Sequence, residues 1–269
     1  MQRIVAMSES FERRFGALDR LYGAGSTAGF ATAHIMIAGI GGVGSWCAEA
    51  VARHGVGKIT LIDLDHIAES NINRQLPALG STIGKAKALA MAERIADINP
   101  QAQVEIVDDF VSADNIAELL QLQPDVLIDC TDQISAKLAM VVEAKRCKVP
   151  LIVCGAAGGK RDVLALRSSD LSQTSHDALL ARLRNQLRRQ HGFPRPKAEK
   201  GARIPKMGVT CLWVEETAVM PELWKQGESP EAPQGLSCAG YGSAVTLTAS
   251  MGLAAAQLAI NRIVAKQAG

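Results

Sequence analysis

Three kinds of residue in this chain are spaced for phosphate chemistry: the glycines of "GIGGVGS", a downstream group of Asn, Arg and Lys, and aspartates at the ends of apolar runs. Gly39, Gly41 and Gly44 form a GxGxxG pattern, with Gly42 inside it, between the apolar run "HIMIAG" and a stretch of helical spacing. Glycines there allow a tight turn and close backbone approach, and a helix start turns unpaired N–H groups toward phosphate oxygens. Asp63 closes the next apolar run, where an acid accepts hydrogen bonds from ribose hydroxyls. A hydride-transferring NAD enzyme has the same features, so the glycine loop alone does not separate NAD from ATP.

The following stretches do separate them. "DLDHIAESNINRQ" holds Asp63 and Asp65, then Asn71, Asn73, Arg74 and Gln75; "GKAKA" holds Lys85 and Lys87; "DCTD" ends in Asp132. One Arg and one or two Lys aimed at the same phosphates exceed the needs of a dinucleotide. They suit a triphosphate whose pyrophosphate must leave. Asp132 supplies the carboxylate that Mg2+ prefers beside phosphate oxygens. Singly, a Lys near a helix start is ordinary surface charge and an Asp after a strand an ordinary N-cap. It is the ordered set that points to ATP, and no His stands out as an acid for hydride transfer.

The elements that must position these residues follow from periodicity. "HIMIAG", "KITLID", "VEIVDD", "DVLIDC" and "PLIVCG" are near-continuous apolar runs. They alternate with helical spacing over Ser45–His54, Ile83–Ile98, Asn115–Gln121 and Ser135–Cys147. This predicts an α/β fold with a doubly wound, mostly parallel Rossmann-like sheet covered on both faces. Every candidate residue then falls at the carboxyl end of a strand, where such sheets bind ligands. Beyond Gly155, "DVLALR" and "VTCLWV" read as C-terminal extension strands. An Arg-rich helix, about Asp177–Gln190, and the loop "HGFPRPKAEKGARIPKMG" lie between them, and a second loop covers about Pro221–Ser237. The expected division is residues 1–160, an N-terminal helix plus ATP-binding Rossmann-like domain, and residues 161–269, a C-terminal subdomain. The latter carries a helical, basic insertion (about 177–206) and an apolar C-terminal helix.

A length of 269 residues suits one α/β domain with an added subdomain. Cys47, Cys130, Cys147, Cys154, Cys211 and Cys238 never form CxxC, which argues against a structural zinc or a thioredoxin-like motif. "MQRIVAMSESFERRFG" has acidic residues and no apolar run, unlike a signal peptide, so a cytoplasmic, reduced protein is expected. The net charge of +2 hides an asymmetry: Arg182–Lys206 holds nine Lys or Arg against Glu199, a local +8 that leaves −6 elsewhere. A charge run is commonly a solvated face, yet this concentration suits a polyanion-binding arm. Ala239–Ile260 has no charged residue and is long enough to span a bilayer. Its Gly, Ser, Thr, Ala and Gln content predicts a buried helix, packed in the core or at a dimer interface, rather than a membrane span.

The set "GIGGVGS", "ITLIDLD", "SNINRQ", "GKAKA" and "DCTD" resembles the ATP-binding domain of the ubiquitin-activating-like superfamily of HesA, MoeB and ThiF. With "RFGALDRLYG", "RIADINP", "VDDFVSADN", "GAAGGK" and "LSCAGYGSA", the resemblance covers nearly the whole chain. It is strongest to the branch that modifies RNA, the tRNA threonylcarbamoyladenosine dehydratases. The resemblance implies that Asp63 binds ribose, that Asn71, Arg74 and Lys87 contact ATP, and that Asp132 holds Mg2+ through ATP. It also implies a homodimer acting on tRNA that carries threonylcarbamoyladenosine, with the basic stretch on its phosphates. A sulfur-transfer partner protein stays open.

Two departures qualify it. MoeB-type proteins carry an Arg-Tyr-x-Arg-Gln motif whose second Arg reaches the neighbouring subunit's ATP site; here Ala17 stands in that place, leaving Arg14 and Arg20 as candidates to act in trans. In ubiquitin-activating enzymes a cysteine takes the acyl group as a thioester, and a sulfur route would need one. Cys238, with Gly240 and Gly242 suggesting a turn near the nucleotide, is the candidate, although free cysteines are usually bystanders. The alternative activity is adenylation of a ubiquitin-like sulfur carrier. The MoeB- and ThiF-type enzymes that do this usually carry the two CxxC pairs that this chain lacks. A nucleotide sensor without turnover is the non-enzymatic alternative.

Overall fold

The five apolar runs of the first half become five adjacent parallel strands. In a computed structural model, which describes residues 9–196, 203–220 and 238–268, three short helices α1 (Glu9–Phe15), α2 (Ala17–Tyr22) and α3 (Ser26–Thr32) precede β1 (His34–Ala38). Then follow α4 (Gly44–Arg53), β2 (Lys58–Ile62), α5 (Lys87–Ile98), β3 (Gln103–Val107), α6 (Ile116–Leu119), β4 (Val126–Asp129), α7 (Ile134–Cys147) and β5 (Leu151–Cys154). β6 (Leu166–Asp170), α8 (Ala178–Gln190) and β7 (Thr210–Val214) extend the same sheet. The strand order is β3-β2-β1-β4-β5-β7-β6, parallel except for the antiparallel pair of β6 and β7 at the edge. Every residue of β1 and β4 is buried, as expected for central strands covered on both faces. The order reverses between β1 and β4, so the crevice outside their carboxyl ends is the natural binding place.

Three boundaries differ from the periodicity. The helix expected from Ile83 starts at Lys87, because Gly84 and Lys85 are tied by backbone hydrogen bonds to Ile67. The strand in "DVLALR" starts only at Leu166; Asp162 accepts the Leu164 N–H at 2.9 Å and caps a single 3-10 turn before it. The uncharged segment 239–260 is broken at Gly242, whose φ of +74° suits glycine. A short helix, Cys238–Tyr241, precedes the break, and a long C-terminal helix, Val245–Ala268, follows it.

That C-terminal helix is apolar and long enough to cross a membrane by length and composition, yet half of it is buried within the protein. Leu247, Met251 and Ile260 are fully enclosed, each contributing on the order of 1.5–3 kcal/mol of burial. It packs tightly on α4: a Cβ on Gly252 would lie 2.3 Å from the Val43 carbonyl, so only glycine lets the helices meet there. The parts before and after residue 160 thus share one sheet and one apolar core. A clamp on the other side of α4 adds to this. Glu49 accepts from Arg94 of α5 at 2.6 and 2.9 Å and from Arg53 at 2.8 Å. The helix bearing the glycine loop is thereby fixed to the helix that begins with Lys87.

Candidate active site

The glycine loop is shaped by two steric demands. Gly39 has φ +84°, and a Cβ there would sit 3.0 Å from the Cys130 backbone; a Cβ on Gly44 would fall 1.8 Å from the Gly39 carbonyl. The β1–α4 turn is therefore folded tightly onto the end of β4. Gly41 has only the tip of Gln75 near its would-be Cβ, at 3.9 Å, so it faces the open crevice. The crevice is a cleft of about 330 Å³ lined by Gly39, Gly41 and Gly42, by Asp63, Asp65, Asn71, Arg74 and Lys87, and by Asp132.

Each candidate is held differently. Asp63 is buried and accepts N–H groups of Ile40 and, at 2.8 Å, of Asp65. Burial pushes its carboxyl above the ordinary value, against those hydrogen bonds and the Lys87 charge. Its first task is to fix the glycine loop, while the half-exposed Asp65 offers its carboxylate to the cleft. Lys87 Nζ rests 2.7 Å from Asp65 Oδ2. Arg74 donates to the Ser70 carbonyl at 2.7 Å and to Asn73 Oδ1 at 3.0 Å, and its own carbonyl accepts the Trp46 indole N–H at 3.1 Å. Asn71 is buried and holds the Ala68 N–H, so it shapes the loop that presents Arg74. Asp132 stands exposed at the mouth.

Several contributors escape a reading of the sequence. Gln75 is buried against the cleft with Oε1 unpartnered, an acceptor left for a ligand or water. Phe110, just beyond β3, is half-exposed and lines the same cleft. Under the floor, fully buried Lys137 donates to Asp129 Oδ1 at 3.0 Å and to the Cys154 carbonyl at 2.7 Å, locking the ends of β4 and β5 together. Asp177 caps α8 through the Leu180 N–H and also accepts the Ala156 N–H, both at 2.9 Å; buried Lys160 lies 3.5 Å away. That joint ties the loop after β5 to the start of the Arg-rich helix.

Other expected residues lie elsewhere. Lys85, expected beside Lys87, turns away to Glu93. Arg14 donates to the carbonyls of Asp97 and Ile98 at 2.8 and 2.9 Å, capping the carboxyl end of α5, whereas Arg20 is exposed on α2. Cys238 begins the short helix before the Gly242 turn. That turn is held to Gly159 at 2.9 Å, and the adjoining Ser243 lines the cleft. Among the described side chains, the cysteine that lines the cleft is Cys130, whose Sγ lies 3.9 Å from that of Cys154. The Cys154 contact alone would lower the Cys130 thiol, but Cys47, burial and nearby charge push it well above the ordinary value, which disfavours a thiolate nucleophile. Of the basic stretch, residues 197–202 lie outside the described residues, as does the loop 221–237.

A glycine loop at the switch point of a parallel sheet, with Arg and Lys converging on it and a carboxylate at its mouth, defines a nucleotide-binding protein of the doubly wound class. The chain belongs to the ThiF family, whose model matches residues 17–268. It is 41% identical to the tRNA threonylcarbamoyladenosine dehydratase of Escherichia coli over 98% of both chains. To the dehydratase of Haemophilus influenzae it is 39% identical, again over 98% of both. The crystal structure of the E. coli dehydratase TcdA in complex with ATP superposes with a TM-score of 0.86 at 40% identity, covering 98% of this chain and 99% of that one. The complex with AMP gives 0.86 at 39% identity, covering 98% and 100%.

Proposed function

We propose that this protein is an ATP-dependent tRNA threonylcarbamoyladenosine dehydratase. The observation that carries the proposal is the convergence of Asp65, Arg74, Lys87 and Asp132 on one cleft, in a chain similar to such dehydratases along its whole length. The substrates are ATP and the threonyl carboxylate of the modified adenosine. A carboxylate oxygen attacks the α-phosphate and pyrophosphate leaves. A nitrogen of the neighbouring carbamoyl group then closes on the acyl carbon and AMP leaves, so the nucleoside loses one water overall. Nucleophile and electrophile belong to one substrate, so positioning and charge neutralisation supply most of the rate.

Within that scheme the glycine-loop N–H groups and Lys87 hold the phosphates, Arg74 neutralises the departing pyrophosphate, and Asp65 and Asp63 take the ribose. The donor set fits Mg2+: an exposed carboxylate at the cleft mouth matches a hard cation that binds through one or two carboxylates plus phosphate oxygens. Asp132 would hold it, and the ion would supply charge neutralisation at the phosphates. The protein works as a homodimer in the cytoplasm, where ATP and tRNA are found. Arg20, exposed and unlike Arg14 not engaged in capping α5, is the residue proposed to reach the partner's cleft. In a second route, which would draw on a sulfur-transfer partner, the Cys238 thiol beside the glycine-rich turn attacks the adenylated acyl carbon, giving a thioester as AMP leaves.

The test is direct. Purified protein and Mg-ATP are incubated with tRNA carrying threonylcarbamoyladenosine, and the digested nucleosides are weighed by mass spectrometry. An ATP-dependent loss of one water is expected. An unchanged nucleoside, together with ATP–pyrophosphate exchange on a Gly-Gly-ended carrier protein, would instead establish the sulfur-carrier activity.

A further inference from the structure

At the end of the sheet opposite the nucleotide cleft lies a second cavity, of about 490 Å³, at the amino ends of β5 and β7. Its charged lining is entirely cationic: Lys145 and Lys148 from the end of α7, Lys206 from the tail of the basic stretch, and Arg262 from the C-terminal helix. Among the described residues, none of the four has an acidic partner within ion-pair distance. Two are fixed by neutral partners: Lys145 Nζ stands 4.0 Å over the Phe193 ring, and Arg262 donates to Thr210 Oγ1 at 2.7 Å. The nearby acid Asp170 is already engaged, accepting the N–H groups of Met207, Gly208 and Val209 at 2.7–3.2 Å. Four cations from three separate parts of the chain gather around a cavity without a lining carboxylate, a local excess of positive charge that a bound anion would offset.

A path connects this cavity to the cleft. α8 begins at the cleft, where Leu179 lines it, and ends near the second cavity, which Pro194 lines. Thirteen helical residues span about 20 Å at 1.5 Å per residue. The arginines of this helix divide into two groups. Arg184 and Arg188 turn inward, to the carbonyls of Leu171, Thr174 and Pro194. Arg182 and Arg189, seven residues apart and so on one face, stay exposed.

We propose that the cavity of Lys145, Lys148, Lys206 and Arg262 is a phosphate site for the substrate RNA backbone, engaged about 20 Å from the reacting nucleotide, with Arg182 and Arg189 marking the track between. This rests on the RNA reading above and deepens it: three of the six cations lie outside the basic stretch that the sequence marks. The arrangement measures length, since only an RNA that extends along α8 reaches the second site while its modified base sits in the cleft.

The test uses the full chain with Lys145→Gln, Lys148→Gln and Lys206→Gln combined; all three lysines are exposed, so the fold is spared, and circular dichroism checks it. Affinity for substrate tRNA is measured against KCl concentration. The expected result is at least tenfold weaker binding and a log–log salt slope shallower by about 2–3, on the order of 0.7–0.9 for each lost phosphate contact. A trinucleotide carrying the modified base, too short to reach the cavity, should bind the variant and the wild type alike. Unchanged tRNA affinity and slope would overturn the proposal. Calorimetry with inorganic phosphate distinguishes the source of the anion: a variant that loses phosphate binding but keeps the tRNA slope marks a free-anion site and also overturns it. Failure of the wild type to cyclise any RNA would defeat the functional reading, while the salt slope for tRNA would still decide the cavity.

Discussion

Lys87 Nζ lies 2.7 Å from Asp65 Oδ2, so the cation proposed to hold phosphate stands beside the carboxylate proposed to take ribose. Lys87 is buried at the first turn of α5, while the Asp65 side chain is about half-exposed at 54%. The pair is preorganised: the ammonium is already held at the cleft that the glycine loop also lines. Lys87→Ala should lower the turnover of adenylation by about 10²–10³-fold, the usual cost of removing one preorganised electrostatic donor. Arg74→Ala should do the same. ATP–pyrophosphate exchange with substrate tRNA measures both, and undiminished exchange in either variant would remove that residue from the phosphate site.

Cys130 at the cleft and Cys238 should both be dispensable. Cys130 reaches the cleft, but its thiol is held well above the ordinary range, and Cys154 beneath it is pushed up likewise, by the Cys130 contact and then by burial. Cyclisation needs no protein nucleophile, because the attacking nitrogen is on the substrate. Cys130→Ala and Cys238→Ala are each expected to keep more than about half of the wild-type rate, since neither removes transition-state charge stabilisation. Complete loss of product in Cys238→Ala, with the fold intact by circular dichroism, would mean that a thioester route operates.

The sequence made the central strands and the phosphate loop legible because both are written in local patterns: unbroken apolar runs, and glycines at a spacing that only a strand–turn–helix satisfies. The residues that escaped depend on partners far along the chain. Lys137 sits in a helical pattern as an ordinary surface lysine would, and it is fully buried only because Asp129 and the Cys154 carbonyl meet it there. Arg14 looks like a free basic residue until the end of α5, more than 80 positions away, supplies two carbonyls. The cationic cavity draws on α7, the basic stretch and the C-terminal helix, and no window of sequence contains all three.

Stability should respond to acid through the clamp between α4 and α5. Burial alone would raise the Glu49 carboxyl, but hydrogen bonds from Arg94 and Arg53 outweigh it and hold the group below the usual Glu value. A carboxylate lowered in the folded state contributes stability above its unfolded value, near 4.5, and loses it as pH falls through the folded value. Both guanidiniums are about half-exposed, so the contribution is modest. Glu49→Gln should cost about 1–2 kcal/mol at neutral pH. Urea melts of variant and wild type should converge as the pH drops below 4.5, and a gap independent of pH would show that packing, not charge, holds the helices together.

Arg20 can be tested for action across subunits by mixing two inactive variants. Arg14 is engaged at the end of α5 within its own chain, so Arg14→Ala should loosen that helix end and lower Tm rather than abolish turnover. Arg20 is exposed on α2, and Arg20→Ala should leave Tm unchanged while lowering the rate of adenylation. If the proposed homodimer places Arg20 in the partner's cleft, a chain lacking Arg20 still has a complete Lys87 site when paired with a chain that keeps Arg20. Unfolding and refolding Arg20→Ala together with Lys87→Ala would then restore about a quarter of the wild-type sites, from random pairing in a two-fold dimer. Recovery of activity on mixing is the expected outcome. No recovery, with dimers verified by sedimentation, would place any role of Arg20 within its own subunit.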